Sequence, residues 1–145
     1  GFVQRALGRG PPGEGAQAAA LAAGIAQTLA TARPRSPRVL VVHGAEDGLV
    51  PVAFSSRPWV AAVRESGYSG ALRYWEIPHT QHFDAYLALP TFAGRMLPLL
   101  PYAHQALDMA WAAVVEGASL PPEAAVQNQV PVVGTALTAD DLGQL

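Results

Sequence analysis

The chain has 145 residues, of which half are apolar and 14% charged, with a formal net charge of −2 and no cysteine. This composition is typical of one globular domain with its own core, and it excludes disulfide scaffolds, thiol nucleophiles and cysteine-ligated metal sites. The near-neutral charge argues against a nucleic-acid partner, and no apolar run reaches the roughly 18 residues that a membrane span needs.

The first part of the chain is predicted to form a loop and a helix. A Gly/Pro cluster at residues 8–13 supplies turn-forming backbones, so residues 1–15 are expected to be a surface loop. Residues 16–32 are rich in strong helix formers and predict a helix that ends at the prolines of residues 33–37. The start at Gly1 instead of Met is typical of a fragment or a processed chain.

The middle of the chain, residues 38–116, carries the pattern of an α/β architecture. Residues 39–42 are a short β-branched run, typical of a strand that is buried on both faces of a parallel sheet. Residues 54–66 fit a helix, and the aromatic and branched residues 72–77 predict a second strand. A strand, helix and strand in this order predict two parallel neighbours.

The last part of the chain is predicted to be a helix followed by an extended tail. Residues 102–115 place three apolar side chains on one helix face, and residues 117–145 contain prolines and little periodicity, so they are expected to lie over the surface. The three tryptophans are interpreted as core residues, as large aromatics at periodic positions usually are: Trp59, Trp75 and Trp111.

Two loops follow the carboxyl ends of the predicted strands, where catalytic groups collect in open α/β sheets. The acid loop, residues 44–51, carries Asp47, and the histidine loop, residues 78–84, carries His82. Parallel neighbours lie about 4.8 Å apart and their loops project the same way, so the carboxylate and the imidazole are expected to meet. A carboxylate on one imidazole nitrogen leaves the other nitrogen ready to take a proton from a nucleophilic hydroxyl.

Asp47 and His82 stand in the chain order of α/β-hydrolases, in which a serine comes first, then the acid, then the histidine. The serine itself is absent, because no G-x-S-x-G motif occurs in the sequence. None of the six serines is in a context expected of a nucleophile: Ser36, Ser55, Ser56, Ser66, Ser69 and Ser119. The sequence therefore predicts two members of a triad.

Several segments together resemble the 3-hydroxybutyrate oligomer hydrolases over roughly residues 38–125. They are Asp47-Gly48-Leu49-Val50-Pro51-Val52, Ser56-Arg57-Pro58, Leu72-Arg73-Tyr74, Gln81-His82-Phe83-Asp84-Ala85, Leu107-Asp108-x-x-Trp111 and Leu120-Pro121-Pro122. The resemblance implies a serine esterase that hydrolyses short linear 3-hydroxybutyrate esters without a metal or organic cofactor, in a bacterial protein that is secreted or periplasmic. It also implies a nucleophilic serine in a preceding segment of the same precursor.

The resemblance implies that residues 1–145 are the C-terminal part of one catalytic domain, with the last two parallel strands of an α/β-hydrolase-type sheet and their flanking helices. Residues 1–37 are its loop and first helix, residues 38–116 its strands, loops and later helix, and residues 117–145 its tail. Because two strands leave unpaired edges, we expect another segment to complete the sheet. A tannase or feruloyl-esterase-like hydrolase and a non-catalytic binding or assembly module are the alternatives.

Other interpretations of the two candidate catalytic residues remain open. Asp47 can be a turn carboxylate that bonds its own backbone before Gly48, and His82 can be a loop histidine bonded to a carbonyl. Arg57 is a candidate for binding a substrate carboxylate, although a structural ion pair explains it equally well.

The remaining polar residues of the two loops are interpreted as structural. His43 is expected to be packed and hydrogen-bonded at the end of its strand, and Glu46 to be solvated. His79, His82 and Asp84 superficially suggest a metal cluster, but Pro78 makes this segment a loop in which histidines three apart are poorly aligned, so no metal is expected. Asp84 is interpreted as a helix cap.

Overall fold

The computed structural model describes residues 15–145, so the loop predicted for residues 1–15 lies outside the described residues except at its last position. The chain divides into two compact units, Gly1–Thr31 and Ala32–Leu145. Within the described residues, no helix combines the length and the apolar character that crossing a membrane requires.

Helix α1 (Gly15–Thr28) confirms the helix predicted for residues 16–32 but ends earlier. The hydroxyl of Thr28 donates to the carbonyl oxygens of Gly24 and Ile25, each at 3.2 Å. A threonine hydroxyl in a helix commonly bonds to the carbonyl three or four residues earlier in this way.

The second unit is built on two parallel strands, as predicted. Strand β1 (Arg38–Gly44) and strand β2 (Ala71–Ile77) pair along their whole length. The connection between them contains a 3-10 turn (Val52–Phe54) and helix α2 (Ser56–Glu65). The strand, helix and strand order expected from the sequence is confirmed, with boundaries that differ by one or two residues.

The side chains of β2 alternate between two layers of helix, because successive residues of a strand point to opposite faces. Tyr74 and Glu76 hydrogen-bond to side chains of α2. Trp75 and Ile77 point the other way, into a core that includes helix α3 (Leu100–Trp111). The two helices therefore cover opposite faces of the sheet. Core residues of the α3 side are Trp75, Ile77, Tyr102 and Val126, with Leu40, Val42, Leu99 and Met109 packed against them.

Helix α3 and a following π-helical turn (Ala112–Glu116) confirm the helix predicted for residues 102–115. The helical segment ends at Gly117, whose φ of 73° lies in the left-handed region that favours glycine. A second 3-10 segment (Asp84–Ala88) lies between β2 and α3.

The interpretation of all three tryptophans as core residues is only partly correct. Trp75 is 2% exposed and lies at the centre of the core, and Trp59 is half-buried. Trp111 is 65% exposed, so its assignment to the core is wrong. The physical reason is that α3 packs through the side that carries Tyr102, and a two-stranded sheet offers nothing to cover the opposite side.

The tail, predicted as an extended arm over residues 117–145, has no regular secondary structure over much of its length but also contributes to the core. Val126 is buried against the core cluster, which corrects the expectation that the tail lies only on the surface. The chain then forms a short helix, α4 (Ala139–Leu142). The Tyr102 hydroxyl donates to the carbonyl oxygen of Leu142 at 2.5 Å, so a buried tyrosine of α3 holds the end of the tail.

Among the described residues, the tail of the chain hydrogen-bonds to one edge of the sheet but not to the other. On β2, the backbone N–H of Tyr74 that points away from β1 donates to Glu123 at 2.8 Å, and the Arg73 guanidinium donates to the carbonyls of Leu120 and Pro121. The tail therefore covers the outer edge of β2. Strand β1 pairs only with β2 in the described part of the chain.

Candidate active site

The acid loop (residues 44–51) and the histidine loop (residues 78–84) lie side by side at the carboxyl ends of β1 and β2. The backbone N–H of Glu46 donates to the carbonyl of Thr80 at 3.1 Å. A Cβ atom at Gly44 would lie only 2.7 Å from that same carbonyl oxygen. Glycine at this position therefore allows the two loops to approach closely enough for their side chains to meet.

Asp47 is held by its own loop. One carboxylate oxygen, Oδ1, accepts hydrogen bonds from the backbone N–H groups of Leu49 at 2.9 Å and Val50 at 2.8 Å. This is the turn interaction that the sequence left open as the alternative for Asp47. The side chain is only 3% exposed, so the second oxygen, Oδ2, has little access to water.

The predicted contact between Asp47 and His82 is present. The Asp47 Oδ2 atom lies 2.8 Å from Nδ1 of His82, which must carry the proton when it donates to a carboxylate. The other nitrogen, Nε2, has no hydrogen-bond partner among residues 15–145, and the side chain is 37% exposed. Asp47 therefore fixes the imidazole with Nδ1 occupied, and leaves Nε2 free of protein partners among the described residues on a partly exposed ring.

The hydrogen bonds around Asp47 favour its charged form. Burial raises the pKa of the Asp47 carboxyl, but the hydrogen bonds from Val50, His82 and Leu49 together outweigh it, so the pKa lies below its ordinary value of 3.8. The carboxylate is thus ionised near neutral pH, the state in which it can orient an imidazole and stabilise its protonated form.

We expect this lowered pKa to appear as acid lability. A group whose pKa is depressed in the folded state stabilises the fold above its unfolded value and loses that contribution as pH falls through the folded value. The free energy of unfolding of the chain should therefore decrease as the pH falls below 3.8, the ordinary pKa of an aspartate. Urea unfolding followed from about pH 7 down to about pH 1 measures this dependence, because the linkage of a hydrogen-bonded aspartate acts between about pH 5 and pH 1.

The Asp47→Asn variant tests whether Asp47 causes this pH dependence of stability. It should be less stable than the unchanged chain at neutral pH, and the difference should shrink in acid, because the unchanged chain loses the charge that the variant lacks. Asp140→Asn, at an exposed aspartate of α4, is the matched control. A difference between Asp47→Asn and the unchanged chain that stays constant with pH would contradict the expectation.

The other polar residues of the loops have structural contacts. His43 is hydrogen-bonded as predicted, with Nε2 lying 2.8 Å from the carbonyl oxygen of Val50. Glu46 is exposed but also accepts from the backbone N–H of Thr80 at 3.2 Å. His79 has a φ of 57° and its carbonyl accepts from the N–H of Leu97, so it forms a backbone corner.

Asp84 acts as a helix cap, as predicted, but for a distant helix. Its two carboxylate oxygens accept from the backbone N–H groups of Leu99 at 2.7 Å and Leu100 at 2.9 Å, at the start of α3. The sequence pointed to the helix that directly follows Asp84. No group of three histidine, aspartate or glutamate side chains suited to a metal occurs within residues 15–145.

Arg57 forms the ion pair that the sequence left open as its alternative role. Its guanidinium donates to Glu76 on β2 through Nε at 2.9 Å and Nη2 at 2.6 Å. Tyr74 donates to the same carboxylate at 2.8 Å, and burial raises the pKa of its phenol to about 12. The pair joins the start of α2 to the sheet, and binding of a substrate by Arg57 stays a prediction.

A cleft of about 300 Å³ opens beside the imidazole of His82. Its lining is mostly apolar, and its one carboxylate, Asp84, is engaged in capping α3. The residues that line it are His82, Phe83, Asp84, Leu99, Leu100 and Ala103. No serine hydroxyl of the described residues hydrogen-bonds to His82. Four of the serines have partners elsewhere: Ser36, Ser55, Ser56 and Ser66.

Comparisons with known proteins bear on this site. The family model described as 3HB-oligomer hydrolase matches residues 2–144. A D-(-)-3-hydroxybutyrate oligomer hydrolase of Cupriavidus necator is 38% identical over 128 residues, which cover 87% of this chain and 18% of the relative. One of Polaromonas sp. is 40% identical over 117 residues, 80% of this chain and 17% of the relative. One of Ralstonia nicotianae is 38% identical over 125 residues, 86% of this chain and 17% of the relative.

The chain thus spans less than a fifth of the length of these relatives. No solved structure matches it. The matched region includes both loops and both strands, since the family model runs over nearly the whole sequence. The chain belongs to the 3HB-oligomer hydrolase family.

Proposed function

We propose that this chain supplies the acid and the histidine of a Ser-His-Asp carboxylic ester hydrolase that acts on 3-hydroxybutyrate oligomers. The observation that carries the proposal is the 2.8 Å contact between Oδ2 of a buried Asp47 and Nδ1 of His82. This contact leaves Nε2 accessible at the carboxyl edge of two parallel strands, which is where an α/β-hydrolase-type site would lie.

In this mechanism, Nε2 of His82 takes the proton of the serine hydroxyl while the serine oxygen attacks the ester carbonyl carbon. The resulting imidazolium, stabilised by Asp47, then gives the proton to the departing alkoxide as the ester bond breaks. Water attacks the acyl-enzyme in the same way, with His82 again first base and then acid. The products are a free hydroxyl end and a free carboxylate, and no cofactor takes part.

The serine belongs, in this proposal, to another segment of the same precursor that completes the sheet. The two edges of the sheet support it, because the tail covers β2 and no described residue pairs with the outer edge of β1. An unpaired edge is a template for another strand. The exposed apolar face of α3 and its π-helical turn supports it too, since residues such as Leu107, Trp111 and Val114 lie in water without such a partner.

The proposed substrate class is a short aliphatic ester. The relatives are named for 3-hydroxybutyrate oligomers, and the cleft beside His82 is lined mainly by Phe83, Leu99, Leu100 and Ala103. Apolar side chains of this kind suit methyl-bearing chains, and the one carboxylate of the cleft, Asp84, is engaged in capping α3.

A chimaeric enzyme tests the proposal. In it, the region of the Cupriavidus necator relative that matches this chain is replaced by this chain. We expect the chimaera to release 3-hydroxybutyrate from its dimer and trimer, and the isolated 145-residue chain to release none. A gallate ester, as the comparison substrate, should be cleaved poorly. Robust turnover by the isolated chain, or preference for the gallate ester, would contradict the proposal.

Arg57→Gln in the chimaera separates the two roles considered for this residue. Because the guanidinium already binds Glu76 through two of its nitrogens, we expect KM for a 3-hydroxybutyrate trimer to stay within about twofold of the parent value. Arg64→Gln is the matched control, since Arg64 pairs with Glu123 at the other end of α2 with similar exposure. A several-fold rise in KM for Arg57→Gln alone would restore the substrate-binding role.

A further inference from the structure

A second histidine lies against the Asp47 carboxylate. His43 is the penultimate residue of β1, and its Nε2 atom lies 2.8 Å from the carbonyl oxygen of Val50 and 3.4 Å from Oδ2 of Asp47. The same carboxylate oxygen accepts from His82 at 2.8 Å. One oxygen atom of a buried aspartate therefore faces two imidazole rings.

The partner of His43 determines which of its nitrogens carries a proton. A carbonyl oxygen only accepts hydrogen bonds, so Nε2 of His43 must be the donor to Val50. The proton on Nε2 consequently points into the acid loop, close to Oδ2 of Asp47. His82 has the opposite arrangement, with its proton on Nδ1.

His43 also holds the far end of the acid loop against β1 through a hydrogen bond to Val50. The backbone N–H of Val50 donates to Oδ1 of Asp47 at 2.8 Å, and the carbonyl of Val50 accepts from His43 at 2.8 Å. The N–H of Val50 is thus bonded to the carboxylate itself, and its carbonyl to the histidine beside that carboxylate. The far end of the loop cannot move away from β1 without breaking one of these bonds.

The burial of the three side chains indicates that His43 limits the access of water to the Asp47 carboxylate. The side chain of Asp47 is 3% exposed and that of His43 is 13% exposed, whereas His82 is 37% exposed. A carboxylate has about four positions for donors. Leu49 and Val50 take those on Oδ1, His82 takes one on Oδ2, and Nε2 of His43 lies 3.4 Å from Oδ2, so His43 narrows the access of water to this oxygen.

We propose that His43 is a positioning residue for the Asp47–His82 pair. It holds the acid loop closed through Val50 and covers Oδ2, so that His82 is the one strong donor to that oxygen. The role of His43 in catalysis rests on the function proposed above, but its effect on the His82 hydrogen bond does not.

The experiment uses nitrogen-15 NMR of the 145-residue chain, whose four histidines can be assigned by single substitutions. The variants are His43→Phe, which fills the space without a donor, and His43→Gln, which offers an N–H to Val50. His104→Gln is the matched control, at an exposed position of α3. The readouts are the protonated nitrogen of His43 and the rate at which the His82 Nδ1 proton exchanges with water.

In the unchanged chain at neutral pH, we expect the proton of His43 on Nε2. The His82 proton should exchange about tenfold faster in His43→Phe, the factor that corresponds to losing one ordinary hydrogen bond. His43→Gln should recover most of the parent rate, and His104→Gln should match it. A residue that only stabilised the fold would lower the melting temperature without changing exchange in the folded state.

Two results would overturn the proposal. One is a His43 tautomer with its proton on Nδ1 in the unchanged chain, which decides the matter even if the variants do not fold. The other is parental exchange of the His82 proton in folded His43→Phe. In the chimaera, His43→Phe should lower kcat about tenfold with KM nearly unchanged. An inactive chimaera with the expected NMR results would refute the esterase and leave the positioning role standing.

Discussion

Replacing His82 by alanine in the chimaeric enzyme is expected to lower kcat for hydrolysis of a 3-hydroxybutyrate trimer by about 10⁶-fold. The reason is that Nε2 of His82 is the group that takes the serine proton, and no other described histidine is bonded to a buried carboxylate through Nδ1. Asp47→Asn should lower kcat by about 10⁴-fold, because an amide can donate to Nδ1 and so favour the wrong tautomer. Initial rates of 3-hydroxybutyrate release measure both variants.

The effects of the two substitutions should not add. Residues that act as one catalytic unit lose nearly everything with the first substitution, so the double variant should be close to His82→Ala alone. His104→Ala and Asp140→Asn, both at exposed positions, are the matched controls and should keep parental rates. A loss of less than about tenfold in either single variant would remove that residue from the triad.

Replacing Trp75 by alanine is expected to have the largest effect on stability, about 3 to 5 kcal/mol. Trp75 is 2% exposed and belongs to the core with Ile77, Tyr102 and Val126. Truncation to alanine leaves a cavity between β2, α3 and the tail that these neighbours cannot fill without moving. Since domains are stable by only about 5 to 15 kcal/mol, this loss removes a large part of the stability of the fold.

Trp111→Ala provides the comparison for Trp75→Ala. The same change of side chain at this 65% exposed position of α3 should alter the free energy of unfolding of the isolated chain by about 0.5 kcal/mol or less. Urea denaturation of both variants measures the difference. Equal losses for the two tryptophans would contradict the core described here.

The same pair of variants separates folding from assembly. If α3 docks against another segment of the precursor, Trp111→Ala should lower the melting temperature of the chimaera, although it hardly changes the stability of the isolated chain. In the chimaera the exposed apolar face would be buried, and truncation of an aromatic residue in a buried interface is costly. Equal melting temperatures of the Trp111→Ala chimaera and its parent would argue that this face stays in solvent.

Much of the sheet and of the candidate site follows from local sequence pattern. Residues 39–42 and 72–77 carry the branched and aromatic composition of strands, and the helix between them requires a crossover, so parallel pairing follows from connectivity. Asp47 and His82 each come just after a strand. Parallel pairing brings such positions to one edge, which is why their contact could be predicted without coordinates.

The sequence by itself therefore determined the α/β class, the parallel pair of strands and the contact between the acid and the histidine, because these depend on periodicity and on residues near strand ends. Only the tertiary structure decided that His43 faces Asp47, that Asp84 caps α3, that Val126 is buried and that Trp111 is exposed. The last three depend on the packing of segments that are distant in the chain, and the contact of His43 depends on how the acid loop folds back onto the end of its strand. Local composition does not specify which surfaces meet or which donor lies within 3 Å of a given oxygen, a typical hydrogen-bond distance.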